Sequence, residues 1–498
     1  MASVLRSQPA ARLRQSIPSQ ARNFIRVSHS RDMSCPVLSV AEMRQWEAAT
    51  WASGQSEQTV IARVGELVAR RCLALTRSGD TILLLAGIGH NGDDVRMAER
   101  HLSDRRIERL DVAEPAAQSA TLSAALFRKP ALIVDGLFGI GLNRPLAADW
   151  RSFIEEVNGS RIPILAVDAP SGLNCDTGEP EGAAIRADLT LTLGAPKEGL
   201  LRPGAWQYVG RLEVESEIGL VKCPVTSQVL WTLPGDFTKF PPRRFAASHK
   251  GSYGHVWIVA GSLGFHGAAV LSARGAAAAM PGLITLVTSP DVYTPIASQL
   301  RSVMVRPWNE QLEMPEKATA ILVGPGLAAS SVPEGVRNRF LDLWHSAPVP
   351  MVADASALDW LRDARSSLRK DRFITPHPGE AARLLDTEVA TVQSNRAGAV
   401  RQLSSRLGGA FVVLKGHQTM MGREGGPLYL NGSGGPRLAQ GGSGDVLAGY
   451  LAGMLAQPQL ASEGELAARF AVWRHGLAGE SPDWNGLIDE LPRALTAI

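Results

Sequence analysis

The chain has few cysteines, and none of them is closely paired in sequence. Its 498 residues include four, at Cys35, Cys72, Cys175 and Cys223, and no two of them form a C-x-x-C motif. Zinc-binding modules and disulfide-stapled secreted domains depend on closely spaced cysteine pairs, so neither class fits. The sequence indicates free thiols in a reducing compartment, and we expect a cytoplasmic protein.

Long apolar runs and blocks of basic residues are also missing. No apolar stretch reaches the roughly 20 residues that cross a bilayer. The net charge is only +3, and the 51 Lys and Arg residues are dispersed rather than clustered in the body of the chain. Membrane spans and nucleic-acid-binding surfaces both need features that this sequence lacks. We therefore expect small-molecule partners, with no membrane and no nucleic acid among them.

The length of the chain predicts two domains, since a single core rarely grows to this size. Hydrophobic residues make up 45% and charged residues 20% of the chain, as in ordinary globular proteins. Residues 1–36 are predicted to be a disordered leader, because arginines are frequent there and no acid precedes Asp32. The leader is either a mitochondrial transit peptide or sequence upstream of a start at Met33. The Ala- and Arg-rich, Lys-poor remainder favours the second interpretation.

The most informative stretch is residues 431–455, NGSGGPRLAQGGSGDVLAGYLAGML. Its glycines and proline exclude regular structure in the first half. From Val446 the large apolar residues recur at helical spacing, and Ala and Gly make the other side of the helix small. A glycine loop that feeds a helix offers unpaired N–H groups to a phosphate. Asp445 stands at this point, either as a helix cap or as a catalytic base.

Acids follow short apolar strands in the first half of the chain. Strands are predicted over residues 81–86, 131–134, 164–167 and 189–193, with an edge strand over 210–218. The glycine turn GIGHNGDD follows the first strand, and Asp135 and Asp168 follow the next two. The carboxyl ends of parallel strands form the ligand-binding edge of α/β sheets. A site is therefore predicted at this edge, in a domain over residues 37–222.

A second α/β domain is predicted over residues 249–498, after an irregular, Pro-rich linker over 223–248. Its predicted strands cover residues 255–260, 283–288, 320–323, 350–353, 372–375 and 410–414. Helical stretches between most of these strands predict a largely parallel sheet that is covered on both faces. Polar motifs again follow the strands, namely GPGL, Asp354, TPHPGE and KGHQT.

The N-terminal motifs GIGHNGDD, VDGLFGIGL and VDAPSGLNCDTG resemble the YjeF N-terminal family, the NAD(P)H-hydrate epimerases. The resemblance implies a Rossmann-like domain that interconverts the two carbon-6 epimers of hydrated NADH and NADPH. It implies that Asp168 is the catalytic acid/base and that potassium is bound by Asn91, Asp135 and Ser171. It also implies a set of substrate contacts: His90, Asn91, Gly92, Asp93, Asp94, Gly139, Ile140, Gly141, Leu142, Asn143, Arg144, Pro145 and Asp168.

Departures from the family pattern fall in this site. The family reads GxGNNGGDG where this chain has His90, Asp93 and Val95, and it reads MERAG where this chain has Ala62 in place of Glu. An Asp at position 93 would be strained if the backbone there needs a positive φ, and its charge would repel a pyrophosphate. The alternative to an epimerase is therefore a non-catalytic binding domain.

The C-terminal motifs KGSYGHV, GSLGFHGAA, GPGL, ITPHPGEAARLL, VLKGHQT and AQGGSGDVLAG resemble the ribokinase-like domain of bifunctional NAD(P)H-hydrate repair enzymes. The family's DADAL reads DASAL here, with Ser356 as the departure. The resemblance implies nucleotide contacts from Lys415, Gly416, His417, Gln418, Thr419 and Gly444. It implies contacts with the hydrated cofactor from Ala268, Gly326, His377 and Asp445.

The implied reaction removes water from the hydrate, with Asp445 as the catalytic base. Transfer of a phosphoryl group to the carbon-6 hydroxyl turns a poor leaving group into phosphate, whose elimination restores NAD(P)H. The resemblance implies magnesium and ADP as phosphoryl donor, with ATP as the other candidate, and we expect a homo-oligomer. The alternative is a kinase of a small molecule such as a hydroxymethylpyrimidine, which shares the glycine loop but leaves the N-terminal domain unexplained.

Overall fold

Two sheets organise the chain in a computed structural model that describes residues 34–309, 312, 314, 316–362 and 369–497. Most of the predicted leader, residues 1–33, lies outside this range. Its last two residues form a short strand, β1 (Cys35–Pro36), which belongs to the second sheet, so the prediction of disorder was wrong there. Within the described residues, no helix is long and apolar enough to cross a membrane.

The first sheet has six strands in the order β3-β2-β4-β5-β6-β7, and every neighbouring pair is parallel. The strands are β2 (Thr81–Ala86), β3 (Arg106–Asp111), β4 (Leu132–Gly136), β5 (Ile164–Val167), β6 (Leu189–Leu193) and β7 (Arg211–Glu215). The predictions for β2, β5 and β6 are confirmed to the residue, and β7 is the predicted edge strand. The prediction missed β3, because its RIERLD sequence is largely charged and lies at the other edge.

Helices of the first domain pack on both faces of this sheet. They are α1 (Val40–Ala52), α2 (Glu57–Leu75), α3 (His90–Glu99), α4 (Pro115–Phe127), α5 (Ala148–Gly159) and α6 (Trp206–Val209). A capping box starts α1, because the Glu42 carboxylate accepts a hydrogen bond from Ser39 N (2.8 Å) and Ser39 Oγ accepts one from Glu42 N. Gly54, with φ +89°, then separates α1 from α2.

The second sheet has eleven strands in the order β1-β8-β17-β16-β15-β14-β13-β12-β9-β10-β11. The further strands are β8 (Val229–Trp231), β9 (His255–Val259), β10 (Leu283–Thr288), β11 (Met304–Pro307), β12 (Ala320–Val323), β13 (Met351–Ala353), β14 (Arg372–Ile374), β15 (Phe411–Leu414), β16 (Thr419–Gly422) and β17 (Leu428–Asn431). From β15 to β11 all pairs are parallel, as predicted, whereas β15, β16 and β17 form an antiparallel meander.

The segment predicted to be an irregular linker contributes a strand to the second sheet. Strand β8 pairs in parallel with β17 and antiparallel with β1. The prediction of irregular structure was therefore wrong at residues 229–231. The local sequence of β8 does not indicate a strand. Its ladder hydrogen bonds come from β1 and β17, which are far away in the chain.

Helices also cover the second sheet. They are α7 (His266–Ala278), α8 (Tyr293–Ala297), α9 (Glu334–Ser346), α10 (Ser356–Trp360), α11 (Pro378–Leu385), α12 (Val389–Ser394), α13 (Arg396–Arg406), α14 (Ser443–Leu455), α15 (Pro458–Ala461), α16 (Gly464–Glu480) and α17 (Leu491–Ala497). The small side of α14 lies against α7, where a Cβ on Gly449 would come within 1.9 Å of Ser272 O. Glycine is therefore required at position 449. The close approach of the two backbones holds α14, which follows the glycine loop, against α7.

Candidate active sites

A buried polar cluster lies at the carboxyl end of β4. The carboxylate of Asp135 accepts hydrogen bonds from Ser171 Oγ (2.6 Å) and Ser171 N (2.8 Å). Burial raises the pKa of Asp135 to about 6, although hydrogen bonds from Ser171 and Leu137 act in the opposite direction. Asn91 Nδ2 donates to Phe138 O (2.8 Å), and Phe138 N donates to Ser171 Oγ (2.8 Å). The structure thus brings together the three residues that the sequence predicted as potassium ligands.

Asn91 leaves one polar atom of this cluster unsatisfied. Its Oδ1 is buried and has no hydrogen-bond partner within the described part of the chain. An unpaired buried carbonyl oxygen is costly unless something else binds it. Together with the Asp135 carboxylate and the Ser171 hydroxyl, it supplies the oxygen ligands that a hard monovalent cation needs.

The catalytic carboxylate predicted in the first domain is bound by a buried lysine. Asp168 has φ +65°, a left-handed conformation that an Asp rarely adopts. Lys197 Nζ donates to Asp168 Oδ1, to Thr192 Oγ1 (3.0 Å) and to Leu193 O (3.0 Å). The lysine side chain is only 1% exposed, so its ammonium charge is directed at the carboxylate. The sequence placed Lys197 after β6 but gave it no role, because its partner is on another strand.

The fold accommodates the departures from the family pattern in the glycine loop of the first domain, at Asp93 and Val95. Asp93 lies in the first turn of α3 and has no positive φ, so the strain considered for this position is absent. Its carboxylate pairs with Arg96 Nη1 at 2.9 Å, which offsets the added charge. Val95 is fully buried, and its methyl group occupies the space that a Cβ on Gly136 would need. The glycine that matters is Gly92, where a Cβ would lie 2.0 Å from Gly87 O.

The remaining predicted residues of the first site, His90 and the turn over residues 139–145, lie around the glycine loop and are more exposed. His90 points outwards and pairs with Glu57 at 3.3 Å. The turn over residues 139–145 is partly exposed, and a Cβ on Gly139 would lie 3.5 Å from Asn91 Cβ. This turn therefore borders the glycine loop, while Ala62 lies on the exposed side of α2. Glu47 of α1, which the sequence did not single out, is half-buried near Asp168 and Lys197.

In the second domain, the glycine loop leads directly into α14. The cap position is Gly442, with φ +93°, and no side chain caps the helix. Asp445 is in the first turn, so the interpretation of this residue as a helix cap was wrong. No hydrogen-bond partner contacts its half-buried carboxyl within the described residues. Burial and the negative charges of Asp354 and Glu380 raise the pKa of Asp445 to about 7, against the effect of Lys415.

Lys415 is the centre of charge in the second site. Its Nζ donates to Asp354 Oδ1 at 2.8 Å and lies 3.9 Å from Glu380 Oε2. Burial lowers the pKa of this lysine, but the two carboxylates outweigh it and the pKa is raised overall. A Cβ on Gly444 would come within 3.2 Å of the ammonium group, so the glycine leaves Lys415 access to the loop. The predicted residues Lys415, Gly444 and Asp445 are therefore brought together.

The predicted contacts with the hydrated cofactor also include His377, Ala268 and Gly326. His377 caps α11, because its Nδ1 accepts a hydrogen bond from Gly379 N (3.0 Å) and its own N–H donates to Glu380 (2.7 Å). About half of its side chain, 52%, remains exposed. A Cβ on Gly326, which has φ +66°, would lie 3.0 Å from Ala268 Cβ. The structure thus places Ala268 and Gly326 in contact, as their predicted common role requires.

The segment from Lys415 to Thr419 is a strained turn at the domain boundary. Gly416 and Gln418 both have positive φ, +130° and +53°. The ring of His417 lies edge-on against Trp206 of the first domain, 4.8 Å between centroids. Thr419 begins β16 rather than ending a loop, and its hydroxyl donates to Gly416 O.

His475 supports the glycine loop from behind, and the sequence did not identify it. Its Nε2 is 3.1 Å from Ser443 O and 3.4 Å from Ser443 Oγ. Burial lowers the pKa of this histidine to about 4, so the ring is neutral at physiological pH. A single histidine within the apolar helix α16 was the available signal, and it is as typical of a packed residue as of a functional one.

Each of the two sheets has, at its carboxyl edge, a carboxylate beside a lysine and a glycine turn at a helix start. These features define a two-domain α/β enzyme. One domain is Rossmann-like, and the other is ribokinase-like. A family model described as NAD(P)H-hydrate dehydratase matches residues 256–496. A second family model, YjeF-related protein N-terminus, matches residues 112–199. The predicted fold class is thereby confirmed.

Two curated relatives extend this similarity to both domains. The bifunctional NAD(P)H-hydrate repair enzyme Nnr of Coxiella burnetii is 34% identical over 467 residues, 88% of this chain and 93% of that protein. The enzyme of the same name from Vibrio cholerae is 38% identical, over 70% of each chain. This chain belongs to the family of bifunctional NAD(P)H-hydrate repair enzymes.

Among solved structures, an ADP/ATP-dependent NAD(P)H-hydrate dehydratase from Bacillus subtilis, co-crystallised with ATP and Mg²⁺, is 31% identical with a TM-score of 0.46. It covers 51% of this chain and 92% of its own.

Proposed function

We propose that this chain repairs hydrated NADH and NADPH, with an epimerase in the first domain and a nucleotide-dependent dehydratase in the second. The observation that carries the proposal is the half-buried Asp445, which has no hydrogen-bond partner in the described structure and stands between Lys415 and the start of α14. A free carboxylate beside a phosphate-binding helix start suits the transfer of a phosphoryl group to a hydroxyl.

In the second domain, Asp445 accepts the proton of the carbon-6 hydroxyl while the oxygen attacks the terminal phosphorus of ADP. The unpaired N–H groups at the start of α14 and the Lys415 ammonium stabilise the charge that develops on the phosphate oxygens. Phosphate then leaves carbon 6, a proton leaves carbon 5, and the double bond of the dihydronicotinamide is restored. His377, Ala268 and Gly326 would hold the hydrated ring.

Magnesium fits this donor set. Asp354 and Glu380 are buried carboxylates beside Lys415, and they would hold the ion together with the nucleotide phosphates. Within the described residues, no group of three or more His, Cys, Asp or Glu forms a cage of its own. This is the usual arrangement for Mg²⁺, which keeps much of its shell as water and phosphate. Its contribution would be positive charge on the phosphates.

In the first domain, Asp168 is the acid/base group for epimerisation at carbon 6, and Lys197 keeps its carboxylate in place. Potassium fits the cluster of Asn91, Asp135 and Ser171, because Asn91 Oδ1 is buried without a partner there. The ion would supply a fixed positive charge next to the glycine loop and the turn over residues 139–145.

Incubation of the whole protein with racemic hydrate, Mg²⁺ and either ADP or ATP tests the proposal. The expected result is complete conversion to NAD(P)H with release of free phosphate. If only half of the hydrate is consumed, the dehydratase works without an epimerase. A stable phosphoester in place of free phosphate would instead identify a small-molecule kinase, and the rates with the two nucleotides decide the donor.

A further inference from the structure

A second carboxyl group of the first site has no assigned partner. Asp94 lies in α3, one residue after the first-turn Asp93, and is 6% exposed. Within the described residues it has no hydrogen bond, although a buried carboxyl group normally finds one. Its carboxyl group is therefore free to interact with water or with a bound ligand.

The topology places Asp94 and Asp168 at the same edge of the first sheet. Helix α3 follows β2, Asp168 follows β5, and only β4 lies between these two strands. The negative charge of Asp168 acts on the Asp94 carboxyl group, so the two groups lie near each other. A substrate bound at this edge would therefore meet both.

The surroundings of the two carboxyl groups differ in charge. Asp168 has the ammonium group of Lys197 in contact. Burial raises the pKa of Asp94 well above its ordinary range, and the negative charges of Asp168, Asp93 and Glu47 raise it further. The nearby cations Lys197, His90 and Arg44 lower the pKa of the neighbouring Glu47. A buried carboxyl group with a raised pKa suits a proton donor, and Asp168, which accepts a hydrogen bond from Lys197, is available as the acceptor.

Epimerisation at carbon 6 needs such a pair. The carbon–oxygen bond on one face breaks as the ring nitrogen forms a double bond to carbon 6, and the leaving hydroxide must receive a proton to depart as water. A water molecule then adds to the opposite face and must lose a proton. One group has to donate and the other has to accept.

We propose that Asp94 is the second catalytic residue of the epimerase, donating the proton to the departing hydroxyl while Asp168 accepts the proton of the entering water. The inference rests on the proposed epimerase function. After one turnover Asp94 is ionised and Asp168 is protonated, which is the state that the reverse reaction requires. The pair therefore carries one proton, which returns to Asp94 before the next conversion in the same direction.

The test uses the full-length protein with the single R epimer, followed by NMR. Asp94→Asn keeps the shape of the side chain but cannot donate a proton, so kcat is expected to fall about 100-fold or more with little change in KM. The alkaline limb of the wild-type pH profile, where the shared proton is lost, should also disappear. Asp94→Glu should restore part of kcat and shift that limb. Glu99→Gln, a surface change on the same helix, is the control.

The bifunctional chain provides its own check of folding. Dehydration of the S epimer by the second domain should be unchanged in Asp94→Asn. If the wild-type protein does not epimerise above the spontaneous rate, the proposed function fails. If the wild type is active and Asp94→Asn keeps more than about a third of its kcat, a fall far short of that expected for a lost proton donor, the role of Asp94 is overturned. If Asp94→Asn misfolds, an unshifted alkaline limb in Asp94→Glu overturns it.

Discussion

Both domains place a lysine near the proposed acid/base aspartate, but only in the first domain does the lysine contact that aspartate. In the first domain, Lys197 donates a hydrogen bond to Asp168 itself, the proposed acid/base group. In the second, Lys415 donates to the supporting carboxylate Asp354 at 2.8 Å, and the proposed base Asp445 is left without a partner. Each lysine lies at the carboxyl edge of a sheet, Lys197 buried and Lys415 largely so, and the two differ in which carboxylate they contact.

This choice of partner decides what each carboxylate can do. Asp168 accepts a hydrogen bond from a buried ammonium group, which orients its carboxylate as a proton acceptor that needs a separate donor. A carboxyl group that is half-buried among other acids, as Asp445 is, has a pKa of about 7. It can therefore take up and release a proton by itself near neutral pH.

Removal of the free carboxylate should have the largest effect. Asp445→Asn should lower kcat of the dehydratase about 1,000-fold, because the hydroxyl then has no base, while ADP binding persists. The measurement is the near-ultraviolet absorbance of restored NADH with S epimer as substrate. Epimerisation by the same variant should stay at the wild-type rate. A dehydratase that retains a tenth of its activity would contradict the role of Asp445.

Removal of the buried lysine in the first domain should have the next largest effect. Lys197→Met leaves Asp168 without its cation and should lower epimerase kcat about 100-fold. Because one partner of a largely buried pair is lost, the first domain should also be destabilised by about 3 kcal/mol. Thermal unfolding monitors the second effect. Lys222→Met, an exposed lysine of the same domain, should change neither quantity.

The pH dependence should separate the two sites further. Dehydratase kcat should fall about tenfold per pH unit below about pH 7, since Asp445 acts as a base and is protonated there. Asp354→Asn removes a negative charge that raises this pKa, so the acid limb should move to lower pH. A limb that stays in place would show that another group governs the profile.

The sequence predicts best what is local. Short buried strands such as β2 and β6 are bounded by turn residues, so pattern alone places them. The strand β8 depends on pairing with the distant strands β17 and β1, and pattern alone did not find it. The short strands β16 and β17 pair with each other and were also missed. Local sequence was also sufficient for parts of the sites, since contiguous motifs predicted the loops around Gly92 and Asp445.

What the sequence could not show is which side chains meet. Lys197 and Asp168 are separated by 29 positions, and the lysine is directed at Asp168 only because β5 and β6 are neighbours. Glu380 is part of a motif, but its position near Lys415 follows from the packing of α11 against the sheet. The φ angle at position 93 is likewise a property of the folded loop. The sequence could not give it, and the structure shows that it is not positive.

The smallest effect tests whether the two sites are separate at all. Trp206 of the first domain lies edge-on against His417 of the nucleotide-binding turn, with 4.8 Å between ring centroids. An aromatic pair of this kind contributes about 1 kcal/mol, so Trp206→Ala should weaken ADP binding about fivefold. Calorimetric titration measures this, and Gln207→Ala, an exposed neighbour on α6, is the control. If ADP binds both variants equally, the nucleotide turn is held by its own domain and the comparison between two independent sites stands.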